Sequence, residues 1–397
     1  QIAPRSLAGK GRSAIGLMKK MLSVDPVNSK EYQAFLDRNQ PGAGNDLVGS
    51  RYFWCSDYMV HRRKDFFASL KMCSDRVIGM ESINNENLLG RHLADGSLYL
   101  MRSGTEYQDI FPVWDWKRIP GTTCVQSPGD PEHCKNWKNP RDFVGGVSDG
   151  SVGCAVMDFE HDGVSVRKSW FFGDEMIFCF GSGISSASES PVATSVNQCL
   201  LNGDVKLKIG GKEQVMQDGK QTCSNVEWVE HDGWRYVFLK PCNVGVSLVS
   251  QSGEWARVFR NSDTPREKIK KDVFSIYIDH GTKPASAEYS YAMAPAGKEI
   301  GSLDILVCNP SLQAVRLNGR TIGVAFWEPG KFEYDKRHFV EAGSPCLMLL
   351  DLESKSIALS EPTQKLKAIE IAFDGKQQKV KLPSGGNAGK PVKISMQ

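Results

Sequence analysis

The sequence predicts a mainly β protein: a large all-β sandwich, then a small C-terminal β-sandwich, with a short helical segment at the N-terminus. Three observations predict it. From Gly49 onward, short alternating or wholly apolar runs recur between Gly, Asp, Asn and Pro residues, as successive strands and turns do. Helical periodicity is confined to about residues 1 to 40. The strand pattern pauses at Ala294-Pro295-Ala296-Gly297-Lys298-Glu299 and restarts with shorter strands. The expected divisions are residues 1–45, 46–297 and 298–397.

In chain order, Ile15, Met18, Met21 and Leu22 repeat at helical spacing, and Glu31 to Arg38 reads as a second helix after the Asp25-Pro26 break. Helices this short are marginal alone. They are expected to be the tail of a helical domain lying upstream, in a processed or cut chain that opens with Gln1. Strands are expected at Val152–Met157, Val164–Phe172, Glu175–Phe180, Arg235–Leu239, Val244–Ser250, Val273–Asp279 and Ala287–Met293. The smaller sandwich is expected to use Ala314–Leu317, Gly323–Trp327, Cys346–Asp351 and Ala368–Phe373 before a Gly/Lys/Pro-rich tail.

Composition narrows the function. A chain of 397 residues with 40% hydrophobic and 24% charged residues is an ordinary globular sequence able to bury substantial cores. Its net charge of +3 gives no basic field for nucleic acid and suits an acidic polysaccharide without demanding one. No apolar run approaches the roughly 20 residues of a membrane span, and no signal peptide opens the chain. The eleven cysteines lack the paired spacing of a zinc site. Cys124 and Cys134 bracket a turn and could bridge, whereas Cys154, Cys179, Cys242, Cys308 and Cys346 sit in apolar strand patterns that favour free thiols.

The stretch Gly79–Gly90 stands apart. Glu81, Asn84, Asn85, Glu86 and Asn87 form a knot of carboxylates and amides between strand-like runs, poor helix material on the edge of a sheet. Such a knot places a carboxylate beside an amide in a groove, or it is a solvated turn. With Tyr58-Met59-Val60-His61-Arg62-Arg63, Met72-Cys73-Ser74-Asp75-Arg76, Ala94-Asp95-Gly96 and Arg118-Ile119-Pro120-Gly121-Thr122-Thr123, it resembles polysaccharide lyase family 8, the bacterial lyases for chondroitin, hyaluronan, dermatan and xanthan. Later pieces agree in order: Gly145-Gly146-Val147-Ser148-Asp149-Gly150, Arg167-Lys168-Ser169-Trp170-Phe171-Phe172, Pro191 to Gln198 and Ile278-Asp279-His280-Gly281.

The resemblance implies an N-terminal α/α toroid, of which residues 1–45 would be the remnant, ahead of a large antiparallel β super-sandwich and a smaller C-terminal β-sandwich. It implies a lyase that removes the C5 proton of a uronic acid while the C4–O bond breaks, with catalytic Asn, His and Tyr on the toroid. Those roles are given to no residue of this chain, so the chain alone is expected to be inactive. Glu81 matches the family's Glu in its Glu-x-x-Asn pair, where it orients a catalytic arginine; a buried ion pair between domains is the other reading. Asn84 matches the Asn of that pair, and Asn84 and Asn85 are the candidate substrate contacts. Arg12 in Gly9-Lys10-Gly11-Arg12 resembles the arginine that assists near the leaving oxygen, although Gly16 stands where a second arginine is usual and Arg5 is an alternative match. The resemblance also implies a secreted or periplasmic protein acting on a glycosaminoglycan together with the helical domain.

Other candidates read as scaffold. His61 is expected to be a structural histidine among apolar neighbours, with Arg62 and Arg63 as the alternative polyanion contacts. Trp114 and Trp116 would share one face of a strand and pack in the core. Arg118 reads as a fold arginine and His280 as a turn residue. Asp149-Gly150, Asp162-Gly163 and Asp232-Gly233 do not make a calcium loop, so no metal ligand is assigned, and calcium is left open only through the family. The competing function is a non-catalytic carbohydrate-binding or scaffold protein derived from the same fold.

Overall fold

Two Asp-Gly pairs show how the chain folds back on itself. Asp162 and Gly163 (φ 50° and 72°) join strands Gly153–His161 and Val164–Phe172, with His161 opposite Val164. Asp232 and Gly233 (φ 47° and 74°) join Val226–His231 to Trp234–Phe238 in the same way. Two-residue hairpins need both central residues in the left-handed region, which Asp tolerates and Gly adopts freely.

The computed structural model describes residues 14–40, 47–297 and 305–396. Helices α1 (Ile15–Val24) and α2 (Ser29–Arg38) pack against each other across a short turn, where the Asp25 carboxylate accepts hydrogen bonds from Tyr32 (2.6 Å) and Asn28 (2.8 Å). Only Leu36 of the two helices is buried, and Leu17 and Val24 stay exposed.

A four-stranded antiparallel sheet follows (Gly49–Phe53, Tyr58–Arg62, Phe67–Lys71, Ser97–Met101). The centre of the molecule is a nine-stranded sheet. Its strands Trp234–Phe238, Ala287–Pro295, Ile177–Ser186, Val164–Phe172 and Gly153–His161 lie side by side in that order and end at the edge strand Val144–Ser148. A five-stranded sheet, led by Asn243–Glu254 and Lys268–Asp279, covers one face.

Alternation along one strand shows why two layers flank the nine-stranded sheet. Trp170 and Phe172 enter the core shared with the five-stranded sheet, whereas Phe171 between them joins Phe178, Phe180 and Ala292 on the opposite face. That opposite face packs against Val315, Leu317, Ala325, Leu347 and Leu349 of a six-stranded sheet from the C-terminal part. A strand covered on both sides reads as a continuous apolar run, which is what Trp170-Phe171-Phe172 is. The six-stranded sheet in turn faces a four-stranded one (Gly330–Glu333, Phe339–Ala342, Ala368–Phe373, Lys376–Lys381) over a second core.

Arg76 ties these layers together. Its guanidinium donates to the carbonyls of Asp142 (2.9 Å), Val144 (2.8 Å), Thr363 (3.1 Å) and Pro362 (3.2 Å), and lies 3.7 Å from the fully buried Asp57 carboxylate. Burial keeps the Asp57 carboxyl above its ordinary value, with hydrogen bonding by Ser74 and the charge of Arg76 opposing it only in part.

The predicted strands Val164–Phe172, Cys346–Asp351 and Ala368–Phe373 form with those limits, and the others form with shifted ends. One expectation fails. Trp114 and Trp116 are buried in the core as expected, but the chain there is a short 3-10 turn (Phe111–Val113) and loop, held by Trp116 Nε1 donating to Phe111 O. The prolyl ring at position 112 favours that turn over a strand. All eleven cysteines are free, so Cys124 and Cys134 do not bridge; their sulfurs lie near the Val125 and Asn136 carbonyls instead.

Candidate active site

The knot folds into a pinned β-turn. Met80–Glu81 pairs with Asn136–Trp137 in a two-stranded ladder, Glu81 opposite Asn136, flanked by Gly79 N–H to Trp137 O and Ser82 N–H to Lys135 O. The chain then reverses over Ile83–Glu86, where Asn84 (φ 54°) and Asn85 (φ 58°) are both left-handed and Glu86 N–H donates to Ile83 O at 2.9 Å. This is type I′ geometry, and asparagine is among the few non-glycine residues that adopt it readily.

Three further contacts fix the loop. Arg260 N–H donates to Asn85 O (2.7 Å), Leu88 N–H donates to Val258 O (2.9 Å), and the Ser82 hydroxyl lies between Glu86 O (2.9 Å) and His133 Nε2 (2.7 Å). Beneath the turn, buried Asn87 (φ 57°) donates from Nδ2 to Glu81 O at 2.8 Å. Gly90 permits this: a Cβ there would lie 1.8 Å from Asn87 Oδ1. Glu81, Asn84 and Asn85 themselves are exposed on this anchored backbone. The structure thus brings three of the four predicted site residues onto one rigid loop. The fourth, Arg12, lies outside the described residues, as does its alternative Arg5.

Arg91 and His92, directly after the loop, line a cleft of about 690 Å³ with Lys117, Cys124, Asp130 and Asp162. Arg91 holds Asp162 through Nε (2.6 Å) and Nη2 (2.5 Å). Behind the cleft is a group that the sequence reading did not assemble: buried His92, Asp95 and His161 converge within 4.8 Å. Burial alone would raise the Asp95 carboxyl, yet the charges and hydrogen bonds of His161 and His92 hold it well below the usual carboxylate range. Fully buried Lys168 donates to the carbonyls of Asp95 (3.0 Å) and Gly121 (2.5 Å), and burial brings its ammonium down to about 7.

The remaining candidates are scaffold. His61 packs between Phe66 and Phe172 with Nε2 2.9 Å from Gly173 O, and burial lowers it to about 3. His280 sits 2.8 Å from the Thr194 hydroxyl, lowered to about 4 by burial. Arg118 stacks over Tyr277 (3.5 Å to the ring centre) and donates to Gln126 Oε1.

Comparison with known proteins matches residues 48–300 to the model for "Polysaccharide lyase family 8, super-sandwich domain" and residues 304–370 to that for "Polysaccharide lyase family 8, C-terminal beta-sandwich domain". Chondroitinase-AC of Pedobacter heparinus is 33% identical over 364 residues, covering 86% of this chain and 51% of the relative. Hyaluronate lyase of Thermasporomyces composti is 28% identical (86% of this chain, 46% of the relative), and xanthan lyase of Bacillus sp. strain GL1 is 29% identical (84% and 38%). Among solved structures, a chondroitinase AC lyase superposes with a TM-score of 0.85 at 29% identity, covering 96% of this chain and 60% of that one. The chain spans about half the length of the first two of these curated relatives.

Proposed function

The chain belongs to polysaccharide lyase family 8, and from that membership we propose that it forms the sandwich portion of a lyase cutting a uronic-acid-containing glycosaminoglycan, chondroitin or dermatan sulfate before hyaluronan. The reaction is a β-elimination. A base takes the proton from C5 of the uronate, that bond's electron pair becomes the C4=C5 double bond, and the C4–O bond breaks with its pair on the leaving oxygen, which accepts a proton from an acid.

C5–H is a weak acid, so charge developing on the uronate carboxylate must be met by positioned donors and cations. The observation that carries the reading is the pinned turn, which holds one carboxylate and two primary amides exposed on a backbone fixed from both flanks. Asn84 and Asn85 supply amide donors and acceptors to the sugar. Glu81 positions a cationic side chain at the reacting centre, and Arg12 assists at the leaving oxygen. Base and acid come from a helical domain that completes the cleft. A polymer substrate places the enzyme outside the cytoplasm, secreted or periplasmic.

The test is the ultraviolet absorbance of the unsaturated uronate formed from chondroitin sulfate, with this chain alone and with the full-length protein. The full-length protein is expected to be active and the chain alone silent. Activity from the chain alone would place the base within these residues and overturn the assignment. Silence from both would leave carbohydrate binding without catalysis.

A further inference from the structure

His92 ends the 3-10 turn Gly90–His92, Asp95 lies three residues on, and His161 closes the strand Gly153–His161 of the nine-stranded sheet. Their side chains meet out of water: His92 is 3% exposed, Asp95 1% and His161 5%. Both imidazoles aim Nδ1 at the same oxygen, Asp95 Oδ2, at 2.7 Å and 2.8 Å. The other oxygen, Oδ1, is buried with no hydrogen-bond partner, and so is His161 Nε2. Trp137 stacks on the His161 ring at 3.7 Å, fixing its plane.

As a hydrogen-bonded triad this arrangement is poorly satisfied. One carboxylate oxygen takes both donors, and two buried polar atoms have no partner within hydrogen-bond distance. Two imidazole nitrogens and a carboxylate converging on one point are instead the donors that a zinc-class divalent ion takes, with water in the fourth position. Oxygen-only calcium coordination does not fit so nitrogen-rich a set. A second carboxylate stands behind the rings: Asp162 is 3.7 Å from His92 Nε2 and 3.6 Å from His161 Nε2, placed to orient both through their outer N–H groups and itself held by Arg91. Cys124 Sγ lies 3.3 Å from His92 Nε2, on that outer side.

We infer that His92, Asp95 and His161 bind one zinc-class divalent metal ion, with Asp162 orienting the two histidines. The ion's role is structural. It joins the turn that follows the Glu81 loop to the nine-stranded sheet, so it braces the base of that loop. The inference stands on this cluster alone and does not depend on the lyase reading.

The test is the metal content of the chain by mass spectrometry after equilibration with zinc and removal of the free ion. About one equivalent of zinc is expected, falling at least tenfold in Asp95→Asn and in His161→Gln. Cobalt replacing zinc in the unaltered chain is expected to give the visible absorption bands of a four-coordinate site, a readout that needs no variant to fold. Less than a tenth of an equivalent of zinc in the unaltered chain, or a zinc content unchanged in a folded Asp95→Asn variant, would overturn the inference.

Discussion

Replacing Gly90 with alanine tests whether the loop carrying Glu81 is as rigid as its contacts imply. The added Cβ would sit 1.8 Å from Asn87 Oδ1, 2.5 Å from Asn87 Cγ and 2.6 Å from Leu93 Cδ1. The Leu93 methyl can rotate away. Asn87 cannot move cheaply, because its backbone is left-handed and its buried amide supports Glu81 O. Losing that hydrogen bond costs about 1 kcal/mol. Forcing a packed site apart costs about 1–3 kcal/mol more, and the stiffer unfolded chain returns about 0.4–1 kcal/mol. The expected net loss is therefore about 1–3.5 kcal/mol, read from urea unfolding followed by tryptophan fluorescence. The mechanism also requires coupling: in an Asn87→Gly background the overlapping amide is gone, so Gly90→Ala should cost less than about 1 kcal/mol. A single variant within 1 kcal/mol of the parent, or an equal cost in both backgrounds, would refute the steric argument.

Other expectations follow from the same contacts. In the full-length protein, Glu81→Ala should lower turnover by about two orders of magnitude or more while leaving unfolding unchanged, and turnover near the parent value would remove Glu81 from the catalytic account. Arg76→Met leaves Asp57 buried beside an apolar side chain and four carbonyls short of a donor, so a loss of about 3–5 kcal/mol is expected by calorimetry; a melting temperature within about 2 °C of the parent would contradict it. His61 and His231 are buried neutral, lowered to about 3 and about 4, and His231 Nε2 accepts the Asn202 N–H. Below pH ~6.5 their unfolded forms take up protons that the folded forms refuse, so folding stability should fall by roughly 2 kcal/mol per histidine between pH 7 and 5. Replacing His231 by phenylalanine should flatten that slope, and an unchanged slope would count against the assignment.

Much of the fold was readable because its strands obey a simple period. Val164–Phe172 could be placed from sequence since its polar half alternates and its apolar half is continuous, the mark of a strand covered on both faces. The Gly79–Gly90 knot was readable as a turn because three of its asparagines occupy left-handed positions that few other residues tolerate. What could not be read was anything joined only in space. Asp95 and His161 are 66 residues apart and meet only through packing between layers, since Asp95 precedes a strand of the four-stranded sheet and His161 ends one of the nine-stranded sheet. The short-range signal, His92 three residues before Asp95, matches neither a cysteine-pair nor a calcium-loop pattern. Arg76 escaped for the same reason: two of its four acceptors, Pro362 and Thr363, lie nearly three hundred residues away. The core position of Trp114 and Trp116 is legible from their apolar neighbours Phe111, Pro112 and Val113, but their local conformation is set by the proline at position 112.

The apolar seam between the nine-stranded and six-stranded sheets bears on how such a protein can be inherited. Phe171, Phe178 and Phe180 on one side are matched to Leu317, Leu347 and Leu349 on the other, so neither half has a finished surface without its partner. Gene duplication or fusion that carried the first 297 residues alone would deliver a protein with an exposed oily wall. Recombination between relatives would succeed only where both halves of the seam travelled together or already matched. The two sandwiches therefore behave as one unit of descent, and variation is freest on the surfaces that face away from the seam.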